Sequence, residues 1–324
     1  MPHAIRFAAH GGPEVLRWEE VNVAAAAAGE LRVRNTAVGL NYIDIYHREG
    51  LYPVPLPSGI GLEAAGVVVE CGPGVTDFAP GDRVAGASGP LGAYAEERIV
   101  PADRVVKIPD GIGDAQAASM MLKGMTTHYL LRRTYRVQPG DIVLIHAAAG
   151  GVGLIACQWA KHLGATVIGT VGSDEKAALA AAHGCDHPIV YAREDFVARV
   201  AGITGGRKCN VVYDSVGRDT FMKSLDCLRP LGTLVLFGMA SGPVPAFEPG
   251  ILGTKGSLTL SRPSLAHYTA TREDLVATAN ELFDVVLKGA VKIEVNQTVP
   301  LREAAAAQRA LTARKTTGST VMIV

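Results

Sequence analysis

The sequence predicts an α/β protein in which a doubly wound parallel sheet is inserted into a β-rich, barrel-like domain. Three observations predict it. Up to about residue 110 the chain reads as short strands divided by turn residues. From Asp114 strands and helices alternate, as a parallel sheet with helical crossovers requires. A run of small residues, Ala147-Ala148-Ala149-Gly150-Gly151-Val152-Gly153, stands where the first of those strands hands over to its helix.

In the first part, Leu31-Arg32-Val33-Arg34 alternates apolar and polar like a half-buried strand. Gly66–Glu70 is a second strand, closed by Gly72-Pro73-Gly74, and Pro80-Gly81-Asp82 turns the chain into a third. The alanine run Ala24–Ala28 lies between strand-like segments and reads as a loop. Residues 115–133 are helical in composition, with Asp114 as N-cap. Strands are then expected at 142–146, 166–170, 189–190, 211–214 and 233–237. Helices are expected at 152–163, 174–182, 194–203 and 220–228. A further strand at 257–260 would close or extend the sheet. The tail holds helices at 272–287 and 302–312 and a last strand at 320–323. The expected division is 1–125 with 263–324 for the β-rich domain, and 126–262 for the inserted one.

The chain has 324 residues and 48% hydrophobic content, enough to bury two cores. Acidic and basic residues balance at 31 each and aromatic content is 6%, which argues against a nucleic-acid-binding surface. Five cysteines are scattered without CxxC spacing, favouring reduced thiols, and the N-terminus lacks the apolar core of a signal peptide. No apolar stretch is long enough to span a bilayer. A cytoplasmic location is expected.

The small-residue run carries the chemistry. Ala148-x-Gly150-x-x-Gly153 is the dinucleotide fingerprint with alanine in place of the first glycine. Such a turn lets backbone approach a pyrophosphate, whose charge meets the free N–H groups and positive end of the helix.

Several segments together resemble the zinc-free, zeta-crystallin-like quinone oxidoreductases of the medium-chain dehydrogenase/reductase superfamily. They are Asn41-Tyr42-Ile43-Asp44, Gly50-Leu51-Tyr52-Pro53, His146–Gly153, Tyr213-Asp214-Ser215-Val216-Gly217 and Arg262-Pro263-Ser264. The resemblance implies a Rossmann-type domain inserted into a GroES-like barrel domain, and NADPH-dependent reduction of a small quinone. Zinc alcohol dehydrogenases of the superfamily carry an early catalytic cysteine, a Gly-His-Glu and a four-cysteine lobe. Here Asn41-Tyr42-Ile43-Asp44 and Gly61-Leu62-Glu63 stand instead, with no cysteine cluster, so no metal is expected.

NAD-specific domains place a carboxylate about 20 residues past the glycine turn, on the ribose 2′-hydroxyl. Here Gly172 and Ser173 occupy the strand tip, and Lys176 follows one turn into the helix, which favours NADPH. Asp174 is read as the helix cap. The alternative turns it inward, where it would accept a 2′-hydroxyl and repel a phosphate. By resemblance, Tyr191 and Arg314 also contact the phosphate, Gly150, Gly151, Val152 and Gly153 hold the pyrophosphate, and Ser215 lies near the adenosine. Phe237, Gly238 and Met239 line the nicotinamide pocket, with Tyr129, Ser261 and Pro263 as further cofactor contacts. Met239-Ala240 is apolar where the family often carries a polar pair.

Hydride transfer needs orientation more than a Lewis acid when the acceptor is a quinone. Asn41, Asp44, Tyr46 and Tyr52 are expected on one loop at the cleft. Asn41 would hold the carboxamide or a quinone oxygen, and Tyr52 would stack on or donate to the acceptor. Thr126 and Tyr129 would close the other wall. Reduction of α,β-unsaturated carbonyls or enoyl thioesters is an alternative, with Tyr46 or Tyr52 as acid. An NADPH-binding interaction protein with little turnover is another. The apolar edge at 256–261 predicts a two-fold homodimer.

Overall fold

A computed structural model describes all residues from Met1 to Val324 and divides them into two units. The first comprises residues 1–125, 269–287 and 293–324, and the second 126–268 and 288–292.

The first unit opens with β1 (His3–Phe7), β2 (Arg17–Glu20) and β3 (Glu30–Gly39). Helix α1 (Tyr42–Glu49) follows, then β4 (Ser58–Gly59), β5 (Ala64–Cys71), β6 (Arg83–Gly86), β7 (Glu97–Pro101) and β8 (Val106–Lys107). Helix α2 (Asp114–Tyr129) leads out of it. Strand β3 alternates buried Leu31 and Val33 with more exposed Arg32 and Arg34, so one face meets Val68, Phe78, Val84 and Val100 in a core. The expected loop carrying Asn41 to Tyr46 is instead α1. Asp44 Oδ2 accepts from the Asn41 backbone N–H at 2.9 Å, the carboxylate half of a capping box, and Gly50 closes the helix at φ +79°. Asp114 is the first helical residue of α2 rather than its cap. Its Oδ1 accepts from Arg83 and its Oδ2 from the Thr36 hydroxyl.

In the second unit, the expected helix to Arg133 widens after Tyr129 into a π turn, Leu130–Thr134. The alternation then runs β9 (Ile142–Ile145), α3 (Gly151–His162), β10 (Thr166–Val171), α4 (Asp174–Ala182), β11 (His187–Val190) and α5 (Phe196–Thr204). It continues with β12 (Cys209–Asp214), α6 (Phe221–Asp226), β13 (Leu228–Leu236), α7 (Gly250–Thr254), β14 (Thr259–Ser261) and α8 (Leu265–Tyr268). The sheet is parallel throughout, in the order β11-β10-β9-β12-β13-β14. That is the doubly wound order whose ligand crevice lies beyond the carboxyl ends of its central strands. Strand β9 reads Ile-Val-Leu-Ile and is buried at every position, as a central strand covered on both faces must be.

The chain returns to the first unit through α9 (Arg272–Leu287), β15 (Val295–Pro300), α10 (Ala304–Thr312) and β16 (Ser319–Ile323). Strand β16 pairs antiparallel with β3 and parallel with β15, so the returning chain extends the sheet that contains β3, while β1, β2 and β4 form a separate small sheet. No helix is long and apolar enough to cross a membrane.

Candidate functional site

In the second unit the turn after β9 is tight. Ala147 takes φ +54°, Gly150 N–H donates to Ala147 O at 2.9 Å, and Gly150 is the N-cap of α3. A Cβ on Gly153 would stand 2.3 Å from Ala147 O, so only glycine lets the helix seat against the turn. Ala148, in the first glycine's place, is buried, and its N–H donates to Thr170 O at 3.0 Å. Gly169 makes room for its methyl, because a Cβ there would meet Ala148 Cβ at 2.6 Å. Ala148 and Gly169 thus exchange volume across β9 and β10. The first N–H groups of α3 have no carbonyl within the helix to bond and suit an anion.

At the tip of β10, Ser173 caps α4, its Oγ accepting from the Lys176 backbone N–H at 3.3 Å. This corrects the reading of Asp174 as the cap. Asp174 lies in the first helical turn on the surface, and both its oxygens accept from Arg193, at 2.8 and 2.6 Å. Tyr191 is brought onto the same tip, since a Cβ on Gly172 would lie 3.0 Å from its hydroxyl. Gly172, Ser173, Lys176 and Tyr191 therefore form one cluster, with the nearby carboxylate turned to an arginine. Beyond β12, Ser215 sits against Gly238, whose missing Cβ would meet Ser215 O at 2.6 Å, and Ala240 N–H donates to Ser215 O at 3.1 Å. This brings Ser215 to Phe237, Gly238 and Met239. Ser261 ends β14 and Pro263 is buried just beyond it. Thr126 and Tyr129 are buried at the end of α2, with the Tyr129 ring stacked on Tyr268 at 4.6 Å.

Sequence reasoning missed a buried polar chain beneath these loops. His146 Nδ1 lies 2.8 Å from Thr170 Oγ1 and its Nε2 lies 2.9 Å from Ser224 Oγ, which reaches Asp214 Oδ2 at 3.2 Å. Asp214 also accepts from the backbone N–H groups of Val216 and Gly217 and from the Thr220 hydroxyl. The single Ser224 hydroxyl proton faces two acceptors, Thr220 O at 2.9 Å and Asp214 Oδ2 at 3.2 Å, so Ser224 accepts from His146 Nε2–H and Thr170 donates to Nδ1. Burial holds the imidazole pKa below its ordinary value, against the charge of Asp214. Serine stands between histidine and aspartate and all three are buried, so this is not a nucleophilic triad. It ties the residue after β9 to the ends of β10 and β12 and to α6. The signal available was a histidine ending an otherwise apolar strand.

In the first unit, Asn41, Asp44 and Tyr46 share α1, and Tyr52 packs its ring edge-on to Tyr46 at 5.4 Å. Asp44 is fully buried, and besides the Asn41 N–H its Oδ2 accepts from Tyr94 OH at 2.7 Å. Burial raises its pKa to about 7, overriding the hydrogen bonds from Tyr94 and Asn41 and the charge of Lys123, all of which lower it; the charge of Glu63 adds to the rise. Glu63, fully buried, accepts from Asn41 Nδ2 at 2.8 Å, Lys123 Nζ at 3.0 Å and Leu122 N–H at 2.8 Å. Neither Glu63 nor Lys123 was singled out from sequence. Arg314 follows α10 at φ +57°, its charge near the Tyr42 phenol.

Residues 27–110 match the alcohol dehydrogenase GroES-like domain, and residues 151–283 match the zinc-binding dehydrogenase family. The residues present do not fit a zinc ion. No group of three or more His, Cys, Asp or Glu side chains is placed to hold a metal, and the Glu63 carboxylate is already bonded to an ammonium and two N–H donors. The quinone oxidoreductase of Pseudomonas aeruginosa is 55% identical over 324 residues, all of both chains. The 2-haloacrylate reductase of a Burkholderia species is 50% identical, over 97% of this chain and 96% of the relative. The crystal structure of Escherichia coli quinone oxidoreductase complexed with NADPH matches with a TM-score of 0.98 at 50% identity, covering 99% of this chain and 100% of that one. The chain belongs to the quinone oxidoreductase family of the medium-chain dehydrogenase/reductase superfamily.

Proposed function

We propose that this protein reduces quinones with NADPH, without a metal. The observation that carries the cofactor choice is the tip of β10. Gly172 leaves space, Lys176 supplies charge, Tyr191 supplies a hydroxyl, and Asp174 is held by Arg193 instead of standing as the carboxylate that a 2′-hydroxyl would need. NADPH, when bound, supplies the hydride. The chain's own part is to hold the pyrophosphate at the N-terminus of α3, through Gly150, Gly151, Val152 and Gly153. Ser215, Phe237, Gly238, Met239, Ser261 and Pro263 border the rest of the cofactor in this reading, with Tyr129 and Thr126 on another side. From the first unit, this reading assigns Asn41 to the nicotinamide, Arg314 to the phosphate and Tyr46 and Tyr52 to the acceptor, with Asp44 holding the start of α1.

Reduction of an activated double bond is a second reading, favoured by the 2-haloacrylate reductase among the full-length relatives. It requires a proton for the α-carbon, and the Tyr46–Tyr52 pair offers two phenols. Parallel assays with benzoquinone and 2-chloroacrylate, with a chelator present, separate the two. Faster NADPH consumption with benzoquinone supports the first reading, and turnover on the haloacrylate alone replaces it with the second. NADPH binding with neither turnover would leave an interaction role. We further propose a cytoplasmic homodimer paired along β14, supported by the open edge of that strand at the end of its sheet.

A further inference from the structure

The Asn41 amide is not free to choose which end it presents. Its Nδ2 lies 2.8 Å from Glu63 Oε2 and 3.4 Å from Gly39 O, and both of these atoms only accept. The reversed amide would set two oxygens together with no proton between them. Both N–H bonds are therefore turned toward protein acceptors, which leaves Oδ1, the amide's acceptor, as the only end that a ligand could meet. Even with one lone pair of Oδ1 given to the capping box of α1, the other remains.

Three features keep Glu63 in place as a pure acceptor. Lys123 Nζ donates to its Oε2 at 3.0 Å, and the Leu122 N–H donates to Oε1 at 2.8 Å. Gly39 gives the carboxylate its space, because a Cβ there would stand 2.1 Å from Oε2.

We propose that the buried Glu63–Lys123 ion pair is a positioning pair that locks the Asn41 amide, so that Asn41 accepts a hydrogen bond from the nicotinamide carboxamide N–H and does not donate to a quinone oxygen. The proposal rests on the NADPH reading above. An oxidised quinone offers only acceptor oxygens, which Oδ1 cannot satisfy, whereas the carboxamide NH2 offers donors. Of the two roles open to Asn41, the amide's fixed orientation admits the carboxamide.

The test compares dissociation constants for NADPH and its acetylpyridine analogue, which keeps the carbonyl but has a methyl in place of the amide NH2. One neutral hydrogen bond predicts that the wild-type protein prefers NADPH by about three- to tenfold. Asn41→Leu, which removes the acceptor, brings that ratio to near one. So does the double variant Glu63→Gln with Lys123→Met, which removes both charges together and avoids a stranded buried ammonium. Loss of packing alone would weaken both nucleotides equally and leave the ratio unchanged. Equal wild-type affinity for the two nucleotides overturns the proposal, as does a wild-type ratio retained by either variant. If the wild-type protein binds no NADPH, the nucleotide reading itself fails and this proposal with it.

Discussion

Asp44 couples the first unit to pH. Its folded pKa of about 7 lies above its ordinary value of 3.8, so the folded state holds the proton more tightly than the unfolded chain does. That stabilisation is complete below pH 3.8 and is lost as pH rises through about 7. The slope in this window approaches about 1.4 kcal/mol per pH unit for one proton. Asp44→Asn keeps the acceptor for Tyr94 and the Asn41 N–H but cannot ionise. Denaturant unfolding of the variant across the window is expected to lack that fall. An identical pH slope in the two proteins would place the ionisation elsewhere. Gly153 is the other residue with a sharp outcome: Gly153→Val puts a side chain where even a Cβ stands 2.3 Å from Ala147 O. Displacing α3 should abolish measurable NADPH binding, and calorimetric titration with wild-type affinity would refute that role. Both residues were named from the sequence, Gly153 by spacing and Asp44 by the family resemblance of Asn41-Tyr42-Ile43-Asp44. The pairing of Glu63 with Lys123, 60 residues apart, was not, and neither was that of His146 with Ser224, separated by 78. No local pattern marks a pair that only the folded sheets bring together.

Helix α4 shows how one element serves stability and cofactor choice at once. Ser173→Ala removes its cap at a cost of about 0.5–2 kcal/mol, measurable as a lower denaturation midpoint. Lys176→Ala removes the charge assigned to the 2′-phosphate and should weaken NADPH about tenfold, the scale of a charge-assisted bond, while sparing NADH. Equal loss for both nucleotides would mean that the lysine supports α4 alone. The alternating strands and helices of the second unit were legible because apolar runs such as Ile142–Ile145 alternate with capped amphipathic segments. Helix α1 was not, because it spans only eight residues and its Asn-x-x-Asp cap departs from the Ser/Thr-x-x-Glu form. Strand β15 escaped for a different reason: its Val295-Asn296-Gln297-Thr298-Val299 run lies at a sheet edge and buries no side chain fully, so it carries no apolar alternation.

At the scale of the whole molecule, the strand order β11-β10-β9-β12-β13-β14 gathers residues from distant parts of the second unit at one end of its sheet. The Gly150–Gly153 turn, the Gly172–Lys176 tip, Tyr191 and the Ser215–Gly238 contact all follow from it. The open edge of β14 carries the homodimer proposal, and sedimentation equilibrium should return twice the chain mass. A monomer at micromolar concentration would remove it. NADPH-dependent quinone reduction is tested by steady-state kinetics with benzoquinone, NADPH and NADH in parallel. Quinone-dependent NADPH oxidation is expected with kcat/KM at least about tenfold above that for NADH, a gap of about 1.4 kcal/mol. Equal use of NADH, or no quinone-dependent loss of NADPH above the uncatalysed rate, would contradict it.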